Sequence, residues 1–164
     1  MKNSIIFLLV ICFSFSCYAQ PDSLPVYKRF PNVPPFKLRT VPDSLLYTKD
    51  DLPKKKPVIV MVFSPDCEHC QLATKDLLSH IKLFDKVEIV MASSLDYGNI
   101  LAFYKEFNIA AYPNIVMGRD PSYFLGTFFS IRNFPSIYIY NKKGKFIKEF
   151  EGSVSFEKIA EWLK

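Results

Sequence analysis

Apolar positions along the chain follow two different periods, and the change between them marks out its elements. From Val58 to Phe63 every residue is apolar and most are β-branched, the make-up of a strand buried on both faces of a sheet. Val87-Glu88-Ile89-Val90-Met91-Ala92 repeats that pattern with a single polar interruption. After Cys67 the period lengthens. Leu72, Ala73, Leu77, Leu78, Ile81 and Phe84 recur at three- and four-residue intervals with Lys75, Asp76 and Lys82 outside the stripe, which predicts an amphipathic helix running to Phe84 with Leu72 facing inward. Ile100 to Tyr104, with Phe107, predicts a second such helix. Pro113 to Met117 predicts a short strand, and Asp120-Pro121-Ser122 supplies start chemistry for a short helix from Phe124 to Phe128. Ser136 to Tyr140 and Lys145 to Phe150 predict two strands joined by Asn141-Lys142-Lys143-Gly144, a hairpin turn with glycine where positive φ is wanted. Ser155 then caps a last helix that turns Phe156, Ile159, Ala160 and Leu163 inward. Strands and helices alternate, so the chain belongs to the α/β class.

The ends of the chain are built differently. From Gln20 to Pro57 proline, aspartate, serine and lysine dominate, which predicts an extended lead-in, set at residues 20–35, with Phe36-Lys37-Leu38 as an edge strand. Residues 1–19 have the marks of a signal peptide: Lys2, then an apolar run from Ile5 to Phe15 too short to span a bilayer comfortably, then Cys17-Tyr18-Ala19 before Gln20. Acylation of Cys17 as a lipoprotein, or retention of the segment as an anchor, are the rival readings. Ser14, Phe15 and Ser16 fit a lipobox poorly. Each of the three exports the remaining domain, most simply to a bacterial periplasm.

Composition narrows the function. With 164 residues, 49% of them hydrophobic and 23% charged, the chain can bury an ordinary core, which excludes a disordered tail protein. Sixteen phenylalanines and nine tyrosines predict that this core is aromatic, and Tyr123, Phe124, Phe128 and Phe129 are assigned to it rather than to a substrate groove. The formal charge of +5, falling to +4 without Lys2, is scattered apart from Lys54-Lys55-Lys56. That run has the character of a solvated edge, and nucleic acid is not an expected partner.

Export leaves only Cys67 and Cys70, as one C-x-x-C, out of four cysteines. In an oxidising compartment two such thiols tend to pair. Zinc is not expected, since no second cysteine pair exists and His80, readable as a capping residue, is the only histidine besides His69. A helix start at Cys67 offers free N–H groups and partial positive charge, which favour thiolate and mark it as the attacking group, with Cys70 one turn further on the same face.

The strand Val58 to Phe63 running into Cys67-Glu68-His69-Cys70, with Phe134-Pro135 opening the late hairpin and Gly144 and Gly152 beyond it, resembles the thioredoxin superfamily. The resemblance spans residues 36–164. The additional stretch from Ile109 to Phe129 is similar to the exported TlpA/ResA-type branch. It implies a thioredoxin fold: a central mixed sheet flanked by helices, with a short helix and strand inserted before a cis-proline at Pro135. It implies thiol–disulfide exchange with Cys67 as nucleophile and Cys70 as resolving thiol, no cofactor beyond the Cys67–Cys70 disulfide, and a Phe134 backbone free to pair with bound polypeptide. His69 stands where oxidising members carry histidine, and Glu68 where ResA-type reductases carry glutamate, so both are expected to tune the potential in opposite senses. Asp66 replaces the usual tryptophan, and Met61 replaces the buried aspartate of cytosolic thioredoxins. The implied partners are a protein or small-molecule thiol or disulfide and a membrane or periplasmic electron donor or acceptor. Two alternatives remain: a thiol peroxidase built on Ser64-x-x-Cys67 with Arg119 or Arg132 beside the thiolate, and a non-catalytic module that binds through Phe134-Pro135.

Overall fold

A computed structural model describes residues 24–163. The leader assigned to residues 1–19, with Cys17, lies outside them. Seven strands form one mixed sheet: β1 (Lys37–Thr40), β2 (Leu46–Thr48), β3 (Val58–Val62), β4 (Glu88–Ser93), β5 (Ile115–Arg119), β6 (Ser136–Tyr140) and β7 (Phe146–Glu151), in the order β2-β1-β5-β4-β3-β6-β7. β3, β4 and β5 run parallel, and the outer pairs are antiparallel. The helices are α1 (Val26–Arg29), α2 (Glu68–Ser79), α3 (Tyr97–Glu106), α4 (Phe124–Phe129) and α5 (Phe156–Glu161). No helix among the described residues is long and apolar enough to cross a membrane.

β3 is buried along its whole length, as its continuous apolar run predicts. Its alternation divides the interior in two. Ile59, Met61 and Phe63 enter a core with Leu77, Ile100, Phe103, Phe156 and Ile159, from α2, α3 and α5. Val58, Val60 and Val62 enter a second core with Tyr27, Phe36, Leu125, Phe129, Tyr138 and Tyr140. Both cores hold buried aromatic rings, and the smaller second one is the denser in them: Phe129 stacks on Tyr138 at 3.6 Å between ring centroids, and Tyr27 meets both rings edge-on.

Five expectations change. The lead-in expected as extended holds α1, which packs on α4, and buries Tyr27 and Val33. Apolar residues among its prolines gain more by covering the aromatic face than by staying solvated. The strand expected as an edge at Phe36-Lys37-Leu38 is β1, and it is paired on both sides: β2, not foreseen among polar residues, takes the edge. The helix after Cys67 stops at Ser79, where His80 closes it by donating from its N–H and placing Nδ1 3.2 Å from Asp76; a 3-10 turn from Ile81 to Phe84 carries the stripe onward. The assigned aromatic group divides, with Phe129 buried, Phe124 and Phe128 half-buried and Tyr123 exposed. Tyr123, not Asp120, occupies the N-cap of α4, and Asp120 serves its first turn from three residues upstream, its Oδ2 accepting the Leu125 N–H at 2.7 Å. Gly144 takes φ 72° in the β6–β7 turn, the left-handed geometry the hairpin reading requires.

Candidate active site at the end of β3

β3 delivers the chain to Ser64-Pro65-Asp66, and α2 begins one residue after Cys67, which occupies its N-cap position with extended backbone. The Cys67 carbonyl accepts the N–H groups of Cys70 and Gln71 and so closes the first helical turn. Two further contacts hold this corner. The Cys67 N–H donates to Ser64 O at 3.1 Å, and Gln71 Nε2 donates to Pro65 O at 3.0 Å. The sulfur of Cys67 is half-buried at the positive end of α2.

Cys70 differs in burial and in its hydrogen-bond partner. It is fully buried in the core of α2, α3 and α5, and its Sγ accepts the Ser64 N–H at 3.5 Å. Burial pushes its thiol up to about 12, more than the Ser64 hydrogen bond pulls it down, and the neighbouring Cys67 adds to the rise. At neutral pH Cys70 is therefore protonated. Met61, at the position where cytosolic thioredoxins bury an aspartate, is fully buried, and its thioether brings no base to Cys70.

The Phe134–Pro135 peptide is cis. The Cys67 thiol lies 3.9 Å from the Phe134 carbonyl, a sulfur-length hydrogen bond across 67 positions of sequence. The loop is fixed from behind: Ser136 Oγ donates to Asn133 O at 2.7 Å, Gly152 N–H donates to Pro135 O at 2.8 Å, and Asn133 Nδ2 reaches Glu151 at 3.4 Å. Cys67, Cys70, Phe134 and Pro135 thus meet at one end of the sheet. Glu68 and His69 are exposed beside them.

Two neighbours were not legible beforehand. Ser153, in the loop before α5, places Oγ 3.3 Å from His69 Nδ1 and orients the ring. Leu72, assigned to the inward stripe, is 53% exposed and lines a shallow groove with His69 and Val154. It follows Gln71 one position outside the buried arc of Cys70, Ala73 and Leu77, and apolarity alone did not reveal this. The peroxidase candidates are not gathered: Arg119 pairs with Asp96 at 3.6 Å and Arg132 is exposed, and neither has a contact with Cys67.

Several solved structures share this architecture. StoA from Bacillus subtilis superposes with a TM-score of 0.59 at 20% identity, covering 80% of this chain and 98% of its own. A secreted Mycobacterium tuberculosis disulfide oxidoreductase, described as homologous to Escherichia coli DsbE, gives 0.65 at 16% identity, covering 77% and 92%. The exposed lipoprotein thioredoxin of Streptococcus pneumoniae gives 0.63 at 21% identity, covering 79% and all of its own chain. At these identities the likeness is one of fold. No curated protein matches the sequence. The family model for the thioredoxin-like domain matches residues 46–164, from β2 through the cysteine corner to the last helix, and the chain belongs to that family.

Proposed function

We propose that the protein is an exported thiol–disulfide oxidoreductase of the TlpA/ResA type that works through Cys67 and Cys70. The observation that carries the reading is the asymmetry of the pair: Cys67 is half-exposed at a helix start, and Cys70 is buried with its thiol held protonated. Membership of the thioredoxin-like family and the exported, redox-active character printed for the structural neighbours support it.

In the reducing direction the Cys67 thiolate attacks one sulfur of a substrate disulfide. A Cys67–substrate mixed disulfide forms, and the other substrate sulfur leaves as thiolate. Cys70 then loses its proton and attacks Cys67 Sγ. The Cys67–Cys70 disulfide forms, the second substrate thiolate leaves, and two electrons have passed to the substrate. An external dithiol restores the pair; the oxidising direction reverses these steps. Phe134 lies where its backbone can pair with an extended substrate segment, which would bring a disulfide beside Cys67.

Turnover of insulin disulfides tests the reading. Wild type is active and Cys67→Ser is not. Equal activity of the two proteins, or consumption of peroxide at a rate comparable to disulfide exchange, overturns it. A redox titration then assigns direction: a value near roughly −270 mV marks a reductase with an electron donor, and one near roughly −120 mV an oxidase.

A further inference from the structure

The opposite end of the sheet carries a feature the redox chemistry does not use. Lys54, Lys55 and Lys56 precede β3, and Lys142 and Lys143 form the β6–β7 turn. Pairing of Val58 with Tyr140 brings the two groups together across about eighty residues of sequence. With Lys49 they rim a groove of about 340 Å³ floored by Val33, Leu52 and Val58. Two more grooves adjoin it through Lys142. One adds Trp162 and Leu163, and the other adds Lys82, Lys86 and Leu83.

Three properties of this continuous surface identify its partner. Asp85 is the one acidic side chain that lines it, and among the described residues none of its lysines makes an ion pair within 4 Å, although Lys56 is felt by the buried Glu88 carboxylate. All of its cations are lysines. Planar, two-pronged recognition of carboxylates favours arginine, whereas lysines on flexible stems suit a diffuse anionic layer. Finally, large apolar side chains stand among the charges: Leu83 is 52% exposed, and Trp162 is 46% exposed with Lys148 Nζ 5.3 Å from its ring centre. An indole and a leucine ringed by lysines are what a headgroup–acyl boundary accommodates.

We propose that this lysine pole docks on an anionic lipid surface, with Trp162 and Leu83 entering the headgroup layer. β3 separates the pole from Cys67 by five strand residues, roughly 17 Å at about 3.3 Å each. The docked protein therefore presents its cysteine corner away from the lipid.

Trp162 is the chain's single tryptophan, so its emission reports on the pole alone, whatever the leader does. The full chain is mixed with phosphatidylglycerol vesicles and, separately, with phosphatidylcholine vesicles. The expected result is a blue shift on phosphatidylglycerol only, reversed in about 0.5 M salt, where screening shortens the reach of the charges. Replacing Lys54, Lys55, Lys142 and Lys143 together by glutamine lowers apparent vesicle affinity at least about a hundredfold, each lysine being worth about fivefold near such a surface. Insulin turnover by the same variant is unchanged, which shows that it is folded. No shift on phosphatidylglycerol, an equal shift on both lipids, or a shift that survives the fourfold substitution overturns the proposal. Binding of polyglutamate with no response to vesicles also overturns it, in favour of an acidic polypeptide.

Discussion

The two ends of β3 were made from the same strand and have opposite characters. Where β3 finishes, buried and half-buried sulfurs are bounded by exposed Asp66, Glu68 and Glu151. Where it begins, lysines surround exposed Trp162 and Leu83. The first end is organised by short-range contacts that place single atoms: 3.9 Å from Cys67 to Phe134, 3.5 Å from Ser64 to Cys70. The second has many charges and few partners. Chemistry that breaks a particular bond needs the first kind of order, and attraction to an extended surface does not. Substitutions at one end should leave the function of the other intact.

The largest effect is expected from Cys67→Ser, which lowers insulin turnover by at least about a hundredfold through loss of the nucleophile, while vesicle binding by Trp162 emission is unchanged. Next is Phe129→Ala. Its ring is 1% exposed and stacked on Tyr138 in the second core. Chemical denaturation should show a loss of about 3–5 kcal/mol, with the potential of the cysteine pair unaltered. A change in potential would mean that the two cores are more tightly coupled than β3's alternation indicates.

Much of this was readable in the sequence where local pattern and local structure agree. The Val58 to Phe63 run, the helix start at Cys67, the Asn141–Gly144 turn and the cap at Ser155 are each decided by a few adjacent residues. What escaped depends on residues far apart in the chain. Tyr27 is buried because Phe129, Tyr138 and Phe146 are there to meet it. Ser153 is 84 positions from His69, and the lysine pole exists only because antiparallel pairing folds Lys142 back beside Lys54. Leu72 was misread for a related reason: a helical stripe has edges, and only the packed neighbours show which side an edge residue takes.

Smaller effects sharpen the redox end. His69→Pro removes an exposed ring that sits between the two cysteines in sequence and contacts Ser153, and should move the potential about 30 mV or more toward the reducing side in a glutathione titration. An unchanged or more oxidising value removes His69 from the tuning role. Stability of the reduced protein should also depend on Cys70. Its thiol is raised from 9.0 to about 12 in the folded state, so the unfolded chain loses its proton first. The contribution is fully present below about pH 9 and is lost as pH rises toward about 12. Cys70→Ala, compared with wild type by denaturation across that window, should flatten the decline. Parallel curves would show that Cys70 is less shielded than its burial indicates.

Trapping the exchange intermediate asks most directly which sulfur attacks. Each single serine variant is reduced, mixed with a small aromatic disulfide, and its adduct located by peptide mass. Cys70→Ser should accumulate a stable mixed disulfide on Cys67 within the dead time of manual mixing, whereas Cys67→Ser should leave the buried Cys70 unmodified over the same period. Equal labelling of Cys70, or faster labelling than at Cys67, would contradict the division of roles between the half-buried and the fully buried thiol.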